Sequence, residues 1–285
     1  MTEALDDGIN MTRGIAATLI ATLMFYAGAC YAPAYAQQTG ATQQSSDEYD
    51  EPAMGKELFD ELRSEGEIVA SSPLYATLRP LAERITRVVQ PQYSYPIHFY
   101  IVHEAQPNAF AAPGGNIYVT DSLFYFVRNR EELTGTICHE TSHLLYHDSA
   151  RKMKDEEQIA ARALGATVLL GHSVAMVLAI TSIARLDALH FSRDVEERAD
   201  LRGSDTCALA GYNPWGLVWL FRDFSNADAS GLPEVLSDHP DFADRISALE
   251  RHFEENPARF ASFKSSARAT AIHVPKNESE KFLRA

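Results

Sequence analysis

Three histidines spaced four residues apart stand in the segment GTICHETSHLLYHD: His139, His143 and His147. Residues four apart on an α-helix share one face, so the imidazoles of His139 and His143 can converge on a single metal ion. Glu140 directly follows the first histidine and completes H-E-x-x-H, a pattern of two zinc ligands and one general base. Apolar neighbours indicate that this helix is largely buried, where unpartnered histidines would be costly. The segment therefore predicts a helix that holds zinc.

A catalytic zinc site needs a third protein ligand and one position left open. His147 lies eight residues beyond His139, about 12 Å along a continuous helix. The residues between favour helix and include no glycine to turn the chain sharply, so we do not expect His147 to be a ligand. Glu196 and Asp200 offer another solution: the first as third ligand, the second as hydrogen-bond acceptor for a ligand histidine. Taken alone, their spacing is more typical of an ordinary acidic helix surface.

The hydrophobic pattern predicts the helices that position these residues. Within residues 54–90 it indicates two helices, the first carried by Leu58, Leu62 and Ile68. In GYNP, residues 211–214, the glycine is expected to end one helix, and asparagine with proline to begin the next.

Two short strands are expected between the first helices and the H-E-x-x-H helix. YPIHFYIVHE, residues 95–104, and NIYVT, residues 116–120, are rich in β-branched and aromatic residues. NAFAAPGG, residues 108–115, is typical of a turn. Asn129 with Glu132 resembles a capping box that opens the H-E-x-x-H helix. These elements predict an α+β fold, mostly helical, with a small β-sheet beside that helix.

The first 36 residues have the features of a secretory signal peptide. Arg13 precedes an uncharged apolar run, residues 14–29, and a following AYA offers small residues for cleavage. The run is shorter than the roughly 20 residues that span a membrane. Acidic residues before Met11 are unusual in a signal, so Met1 and Met11 are both candidate starts. We expect export to the periplasm.

Two polar segments bound the predicted domain, residues 53–264. Residues 37–52 lack periodicity and predict a disordered leader, and residues 265–285 predict a loose C-terminal tail. Lipidation of Cys30 is an alternative to simple cleavage. We favour cleavage, because Ala27 stands where a lipobox has leucine.

Charge and apolar runs limit the partners. The formal net charge is −14 without a basic run, so we expect no nucleic acid partner. Residues 164–184 carry no acidic or basic residue, only His172, and are long enough to span a membrane. His143 and Glu196 flank this stretch and must reach one ion, which excludes a single crossing. We expect core helices with possible peripheral membrane contact, and a structural role for His172.

Cys138 and Cys207 remain after the predicted signal is removed. They can pair in an oxidising compartment, but sequence alone does not place their Cα atoms within bonding range. We favour two buried thiols.

Five motifs, in order, resemble the zinc metallopeptidases of family M48, specifically the soluble envelope members. They are NAFAAPGGNIYVTDSLF (108–124), HETSH (139–143), SRDVEERAD (192–200), AGYNP (210–214) and SDHPDFADRI (237–246). The resemblance covers most of residues 52–255 and implies a zincin-like fold with one zinc ion per chain. It puts the third ligand at Glu196 and not at Glu197. Asp238 departs from the threonine usual in the family.

The resemblance also implies a mechanism. Zinc polarises the scissile carbonyl, and Glu140 takes the water proton and delivers it to the leaving amine. The negative oxygen that forms needs a second stabiliser. The resemblance places His239 and Arg245 near the metal, with His239 the first candidate and Arg245 the next. An equally open alternative is that the DHP sequence simply begins a helix.

Substrate binding is expected through strand addition. An extended peptide can pair with an edge strand at Asn116–Thr120 through backbone groups, so Asn116 and Tyr118 are candidate binding residues. The alternative is that this segment is an ordinary core strand, and the two are compatible. In the resembling motif, Asn108 and Ala109 lie at the cleft. Backbone pairing tolerates many sequences, which favours unfolded or misfolded polypeptides as substrates.

These observations predict a secreted zinc endopeptidase in quality control of envelope proteins. The alternative is a chaperone or assembly factor of the same fold with secondary proteolysis. A purely structural zinc protein is disfavoured, because such sites use four closed ligands, often cysteines.

Overall fold

The fold is known from a computed structural model. It describes residues 50–155, 158, 191–226 and 242–274, which all belong to one unit of the chain, residues 46–285. The segment predicted to be a signal peptide, Cys30, the apolar stretch 164–184 and His239 lie outside the described residues, and the predictions about them stay predictions.

The described part of the chain is mostly helical with one three-stranded sheet, as predicted. The helices with defined bounds are α1 (Glu51–Ser64), α2 (Tyr75–Val89), α3 (Asp121–Phe126), α4 (Arg130–Leu145), α5 (Arg193–Leu209), α6 (Trp215–Asn226), α7 (Phe242–Glu255) and α8 (Pro257–Phe260), and the strands are β1 (His98–Val102), β2 (Ala109–Ala112) and β3 (Asn116–Thr120). Residues 148–155 are helical as well. Helix α4 carries H-E-x-x-H and packs against β2 of the sheet. Within the described ranges, none of the helices has the length and apolar character needed to cross a membrane.

Helix α1 departs from its prediction at both ends. It begins at Glu51, inside the predicted leader of residues 37–52, and ends at Ser64. Ile68 was expected on this helix but instead forms an isolated antiparallel bridge with Val102. The expectation is wrong because Gly66, at φ 80°, reverses the chain after the helix and returns it to the sheet.

Strand β3 is the central strand of the sheet. The order is β1-β3-β2, with β3 parallel to β1 and antiparallel to β2. The prediction that Asn116–Thr120 is an edge strand is therefore wrong. Residues 108–115 were expected to be a turn, yet Ala109–Ala112 form a fully buried strand and the turn is confined to Pro113–Gly115. Alanine has low strand propensity, and pairing with β3 outweighs it.

Helix α4 begins where the capping box predicts. The Asn129 Oδ1 atom accepts a hydrogen bond of 2.9 Å from the backbone N–H of Glu132. The Asn129 side-chain amide in turn donates to the Glu132 carboxylate. This local arrangement fixes the first turn of the helix that carries the two histidines.

Helix α5 packs directly on α4, and Gly203 makes this close approach possible. A β-carbon at Gly203 would lie 2.9 Å from backbone atoms of His139. Cys138 of α4 forms a disulfide with Cys207 of α5, with Cα atoms 5.8 Å apart. The prediction of two free thiols is wrong, because the cysteines are 69 residues apart in sequence and face each other only once the helices pack.

The segment after α8 is attached to the domain. The backbone N–H of Arg130 donates to the Thr270 carbonyl at 2.9 Å, and the N–H of Thr270 donates to the Glu131 carboxylate at 2.7 Å. The prediction of a loose tail is therefore wrong for residues 265–274.

Candidate metal centre

His139, His143 and Glu196 converge in the buried space between α4 and α5. The two Nε2 atoms lie 3.1 Å apart. The Glu196 carboxylate lies 3.5 Å from Nε2 of His139 and 3.7 Å from Nε2 of His143. All three side chains are buried, and one potential ligand atom from each lies within 4.8 Å of the others. The three residues predicted as ligands are therefore brought together.

The hydrogen bonds of the two imidazoles show that this group fits a cation. Nδ1 of His139 lies 2.9 Å from Asp200, and Nδ1 of His143 lies 3.0 Å from Asp148. An ionised carboxylate only accepts, so each neutral imidazole carries its proton on Nδ1 and presents a lone pair on Nε2. Two lone pairs 3.1 Å apart repel each other unless a cation lies between them. Two imidazole nitrogens and one carboxylate are the donors of many catalytic zinc sites.

The local charge also favours a cation. Burial lowers the pKa of His139, but the carboxylates of Asp200 and Glu196 outweigh burial and raise it above its ordinary value. The interior at this point therefore attracts positive charge.

Asp200 makes the contact with a histidine that was predicted for it, and Arg245 fixes it there. The Arg245 guanidinium donates to both Asp200 oxygens, from Nε at 2.6 Å and from Nη2 at 2.7 Å. Burial raises the pKa of Asp200, but Arg245 outweighs it and holds the pKa below its usual range. Nη2 of Arg245 also lies 3.2 Å from Glu196. Arg245 thus holds two carboxylates of the site, while its predicted contact with a negative oxygen stays a prediction.

Asp148 is a residue of the site that the sequence interpretation missed. Besides His143 it contacts Arg198, whose Nη2 atom lies 2.7 Å and 2.8 Å from its two oxygens. Burial raises the pKa of Asp148, but His143 and Arg198 outweigh it and lower the pKa. A residue five positions after His143 is not expected on its helix face, so spacing gave no signal. The chain reverses at His147, which has φ 55°, and this turn returns Asp148 to His143.

His147 does not join the metal group, as predicted from its spacing. Its Nδ1 atom contacts the Glu51 carboxylate at the start of α1. Within the described residues, the potential metal group consists of His139, His143 and Glu196.

Glu140 lies where a proton acceptor is needed. Its Oε2 atom accepts a hydrogen bond of 2.9 Å from the backbone N–H of Ala111 in β2. Burial raises the pKa of Glu140, and the two histidines offset this only in part. A carboxylate with a raised pKa is suited to accept a proton and then release it.

A cleft opens beside this group and has one polar and one apolar wall. The polar wall includes His139, Glu140 and Glu196, and Asn108 and Ala109 also line the cleft. The apolar wall is formed by side chains of α3, α6 and α7: Leu123, Phe126, Leu217, Leu220, Phe221, Phe224 and Phe242. The cleft is therefore built to receive an apolar group next to Glu140.

Two predicted substrate-binding residues lie away from the cleft. Asn116 donates from its side-chain amide to the carbonyl of Gly55 in α1. Tyr118 is fully buried and stacks on Tyr100 and Phe110. Their expected substrate contacts are wrong because β3 is the central strand and not the edge.

The fold and the site define a metallopeptidase in which an H-E-x-x-H helix supplies two histidines and a second helix supplies a glutamate. The comparison of sequences agrees: the chain belongs to peptidase family M48, whose sequence model matches residues 75–252.

Curated relatives of the chain include two bacterial proteases and one mitochondrial protease. The beta-barrel assembly-enhancing protease of Yersinia pestis is 26% identical over 200 residues, which cover 67% of this chain and 41% of the relative. The protein of the same name from Escherichia coli (strain K12) is 27% identical over 200 residues, which again cover 67% of this chain and 41% of the relative. The mitochondrial metalloendopeptidase OMA1 of Schizosaccharomyces pombe is 25% identical over 158 residues, which cover 55% and 46%. The chain spans less than half the length of these relatives.

Proposed function

We propose that this protein is a zinc-dependent endopeptidase that hydrolyses unfolded or misfolded proteins of the cell envelope. The observation that carries the proposal is the convergence of His139, His143 and Glu196 beside Glu140 in one cleft. A closed structural site would not need a buried carboxylate of raised pKa at its edge.

The chain's own residues supply most of the chemistry. His139, His143 and Glu196 would hold a divalent cation, which would supply the positive charge needed to polarise a substrate carbonyl and to acidify a water molecule. Glu140 takes the proton from that water and passes it to the amine that leaves. Asp200 and Asp148 keep the histidine protons on Nδ1, so both Nε2 atoms remain available.

The outer edge of β2 is the proposed substrate-binding edge. Alternate residues of an antiparallel strand direct both backbone groups to the same side. Ala111 directs its N–H to Glu140 and its carbonyl to Ser149, both outside the sheet. Ala109 has the same orientation and lies at the cleft. An extended substrate can therefore pair with β2 at Ala109, next to Glu140, in place of the pairing predicted for β3.

The apolar wall of the cleft supports a substrate that exposes large apolar side chains. Seven apolar residues line the same cleft as His139, Glu140 and Glu196. A folded substrate keeps such side chains buried, whereas an unfolded one offers them on an extended backbone. Backbone pairing and an apolar pocket together suit the interior sequences of misfolded proteins.

We place this activity in the periplasm on two grounds. The predicted signal peptide points to export, and two relatives are named for enhancing assembly of β-barrels. Peripheral contact of residues 164–184 with a membrane is part of the same proposal.

The names of these relatives favour one alternative, an assembly factor or chaperone in which proteolysis is secondary. Such a protein would hold an extended chain at β2 and release it uncut. Replacement of Glu140 distinguishes the two, because only hydrolysis needs a proton acceptor.

The deciding experiment combines metal analysis with cleavage of casein. We expect about one zinc ion per purified chain and casein hydrolysis that a chelator abolishes. Glu140→Gln should retain zinc and lose at least about 100-fold in kcat. Glu196→Gln should lose zinc, whereas the matched control Glu197→Gln, on the exposed face of α5, should retain zinc and activity. Wild-type protein without zinc, or full activity of Glu140→Gln, would contradict the proposal.

A further inference from the structure

The turn that follows α4 is held by a residue from far outside that helix. The chain leaves α4 at Leu145 and reverses at His147, whose φ of 55° lies in the left-handed region. Within the described residues, His147 is the sole non-glycine residue with positive φ. A residue with a β-carbon adopts this conformation at an energetic cost, so its surroundings must hold it there.

Glu51 is the group that holds it. This glutamate stands in the first turn of α1 and is only 3% exposed. One carboxylate oxygen binds Nδ1 of His147, and the other accepts hydrogen bonds from the Tyr93 hydroxyl at 2.9 Å and the Gly114 N–H at 3.3 Å. Burial raises the pKa of Glu51, but its hydrogen bonds, that from His147 first, outweigh burial and lower it. The carboxylate is therefore ionised and fully engaged near neutral pH.

The contact between Glu51 and His147 also affects the candidate metal centre, because Asp148 follows His147 in the chain. Asp148 is bonded directly to His147, and its carboxylate accepts from Nδ1 of His143. The direction in which Asp148 leaves the turn depends on the backbone conformation of His147. A chain of contacts thus runs from Glu51 through His147 and Asp148 to a predicted ligand.

We propose that Glu51 is a positioning residue of the metal centre: it locks His147 in the left-handed turn and so orients Asp148 against His143. The inference rests on the proposed metal binding. The proposed role gives α1 a part in the candidate metal centre, although α1 precedes residues 75–252, the segment matched by the family model.

The packing of α1 is consistent with this role. Gly55 lies so close to the turn after β2 that a β-carbon there would be 2.1 Å from the Pro113 carbonyl oxygen. Helix α1 therefore packs closely against the turn after β2, and Glu51 at its start contacts His147.

Metal affinity provides the direct test. In purified full-length protein, zinc affinity is measured by competition with a chromophoric chelator, and the spectrum of the cobalt-substituted protein reports ligand geometry. We expect Glu51→Ala to weaken zinc binding by about 10-fold, the lower end of the range for partners of metal ligands. Glu57→Ala, exposed on the same helix, should not change it. Tyr93→Phe removes a different hydrogen bond of Glu51 but leaves its contact with His147 in place, so it should change zinc affinity much less than Glu51→Ala does.

A second substitution separates positioning from general stability. Glycine adopts the left-handed conformation without penalty. His147→Gly in the Glu51→Ala background should therefore restore zinc affinity and the cobalt spectrum, even if the melting temperature stays low. If Glu51→Ala does not fold, Glu51→Gln is compared with and without His147→Gly in the same way.

The outcomes distinguish the two proposals. Unchanged zinc affinity of Glu51→Ala, or a loss that His147→Gly does not reverse, overturns the positioning role and leaves the peptidase proposal intact. Wild-type protein that binds no zinc overturns both.

Discussion

Cys138, the residue immediately before His139, is bonded to Cys207 and so joins the two helices that supply the candidate ligands. The bond lies beside the approach of α5 to α4 at Gly203, and both sulfur atoms belong to buried residues. The geometry of the site thus depends on helices α4 and α5, which are covalently linked at the residue next to the candidate ligand His139.

Removal of this disulfide should destabilise the protein. A cross-link that closes a loop of this length is worth about 4 kcal/mol through the entropy of the unfolded chain. We expect the Cys138→Ala/Cys207→Ala double variant to lose on the order of 2–4 kcal/mol of unfolding free energy in urea. Wild type should show the same loss only when reductant is added to unfolded protein, because the native bond is buried. Equal stability of variant and wild type would show that packing alone joins α4 and α5.

Asp200 should control metal affinity without being a ligand. Asp200→Asn removes the charge that fixes the His139 proton on Nδ1 and that Arg245 neutralises. We expect zinc affinity to fall about 10–100-fold, with activity recovered at high zinc. Asp194→Asn, exposed at the start of the same helix, is the matched control. Loss of activity that excess zinc does not restore would point instead to a direct role in catalysis.

Asp205, which lies outside the candidate metal centre, should make the stability of the fold depend on pH. It is buried and binds His252 at 3.0 Å and Arg259 at 2.5 Å. Burial raises its pKa, but these two partners outweigh burial and lower it from 3.8. A lowered folded pKa means that the contribution to stability is present above the unfolded pKa and is lost as pH falls through the folded value.

Asp205→Asn should therefore destabilise the fold at pH 7 by about 3 kcal/mol, as expected for a broken buried ion pair. The difference from wild type should shrink below about pH 4, where the unfolded aspartate becomes protonated. Urea unfolding of both proteins at several pH values measures it. A difference that stays constant down to acid pH would exclude an ionic origin.

A large side chain at Thr136 should occupy part of the cleft beside Glu140 and so compete with apolar groups of the substrate. Its partly exposed side chain lines the cleft one helical turn before Glu140. Thr136→Phe should lower kcat/KM about 10–100-fold for peptides with phenylalanine beside the cleaved bond, and much less for peptides with alanine there. Thr86→Phe on α2, outside the cleft lining, is the control for an added ring. Equal losses for both peptides would mean that the apolar wall does not select the substrate.

The residues with local signals were predicted well. The capping box at Asn129 and Glu132 fixed the start of α4, and the four-residue spacing put His139 and His143 on one face. Spacing also excluded His147, which binds Glu51 instead. Each of these depends on neighbours within a few residues, so the sequence carries the information directly.

The errors share one physical cause, which is dependence on contacts between distant segments. The strand Ala109–Ala112 has turn-like composition, and its pairing with β3 exists only in the folded sheet. Asp148 reaches His143 because of a left-handed turn that Glu51 supports from nearly a hundred residues away, and no spacing rule encodes it. The disulfide needed the packing of α4 on α5 before its two cysteines could meet.

The sequence by itself indicated the helix that carries H-E-x-x-H, its candidate general base and, through resemblance, the glutamate that lies beside the two histidines. Helical periodicity and the H-E-x-x-H pattern depend on residues that are close in sequence, so both can be recognised without a structure. Only the tertiary structure decided which strand forms the edge beside Glu140, which carboxylates orient the two imidazoles, and how α1 contributes to the site. Those are relations between surfaces of separate elements, and burial, hydrogen bonding and charge select among them only after the chain has folded.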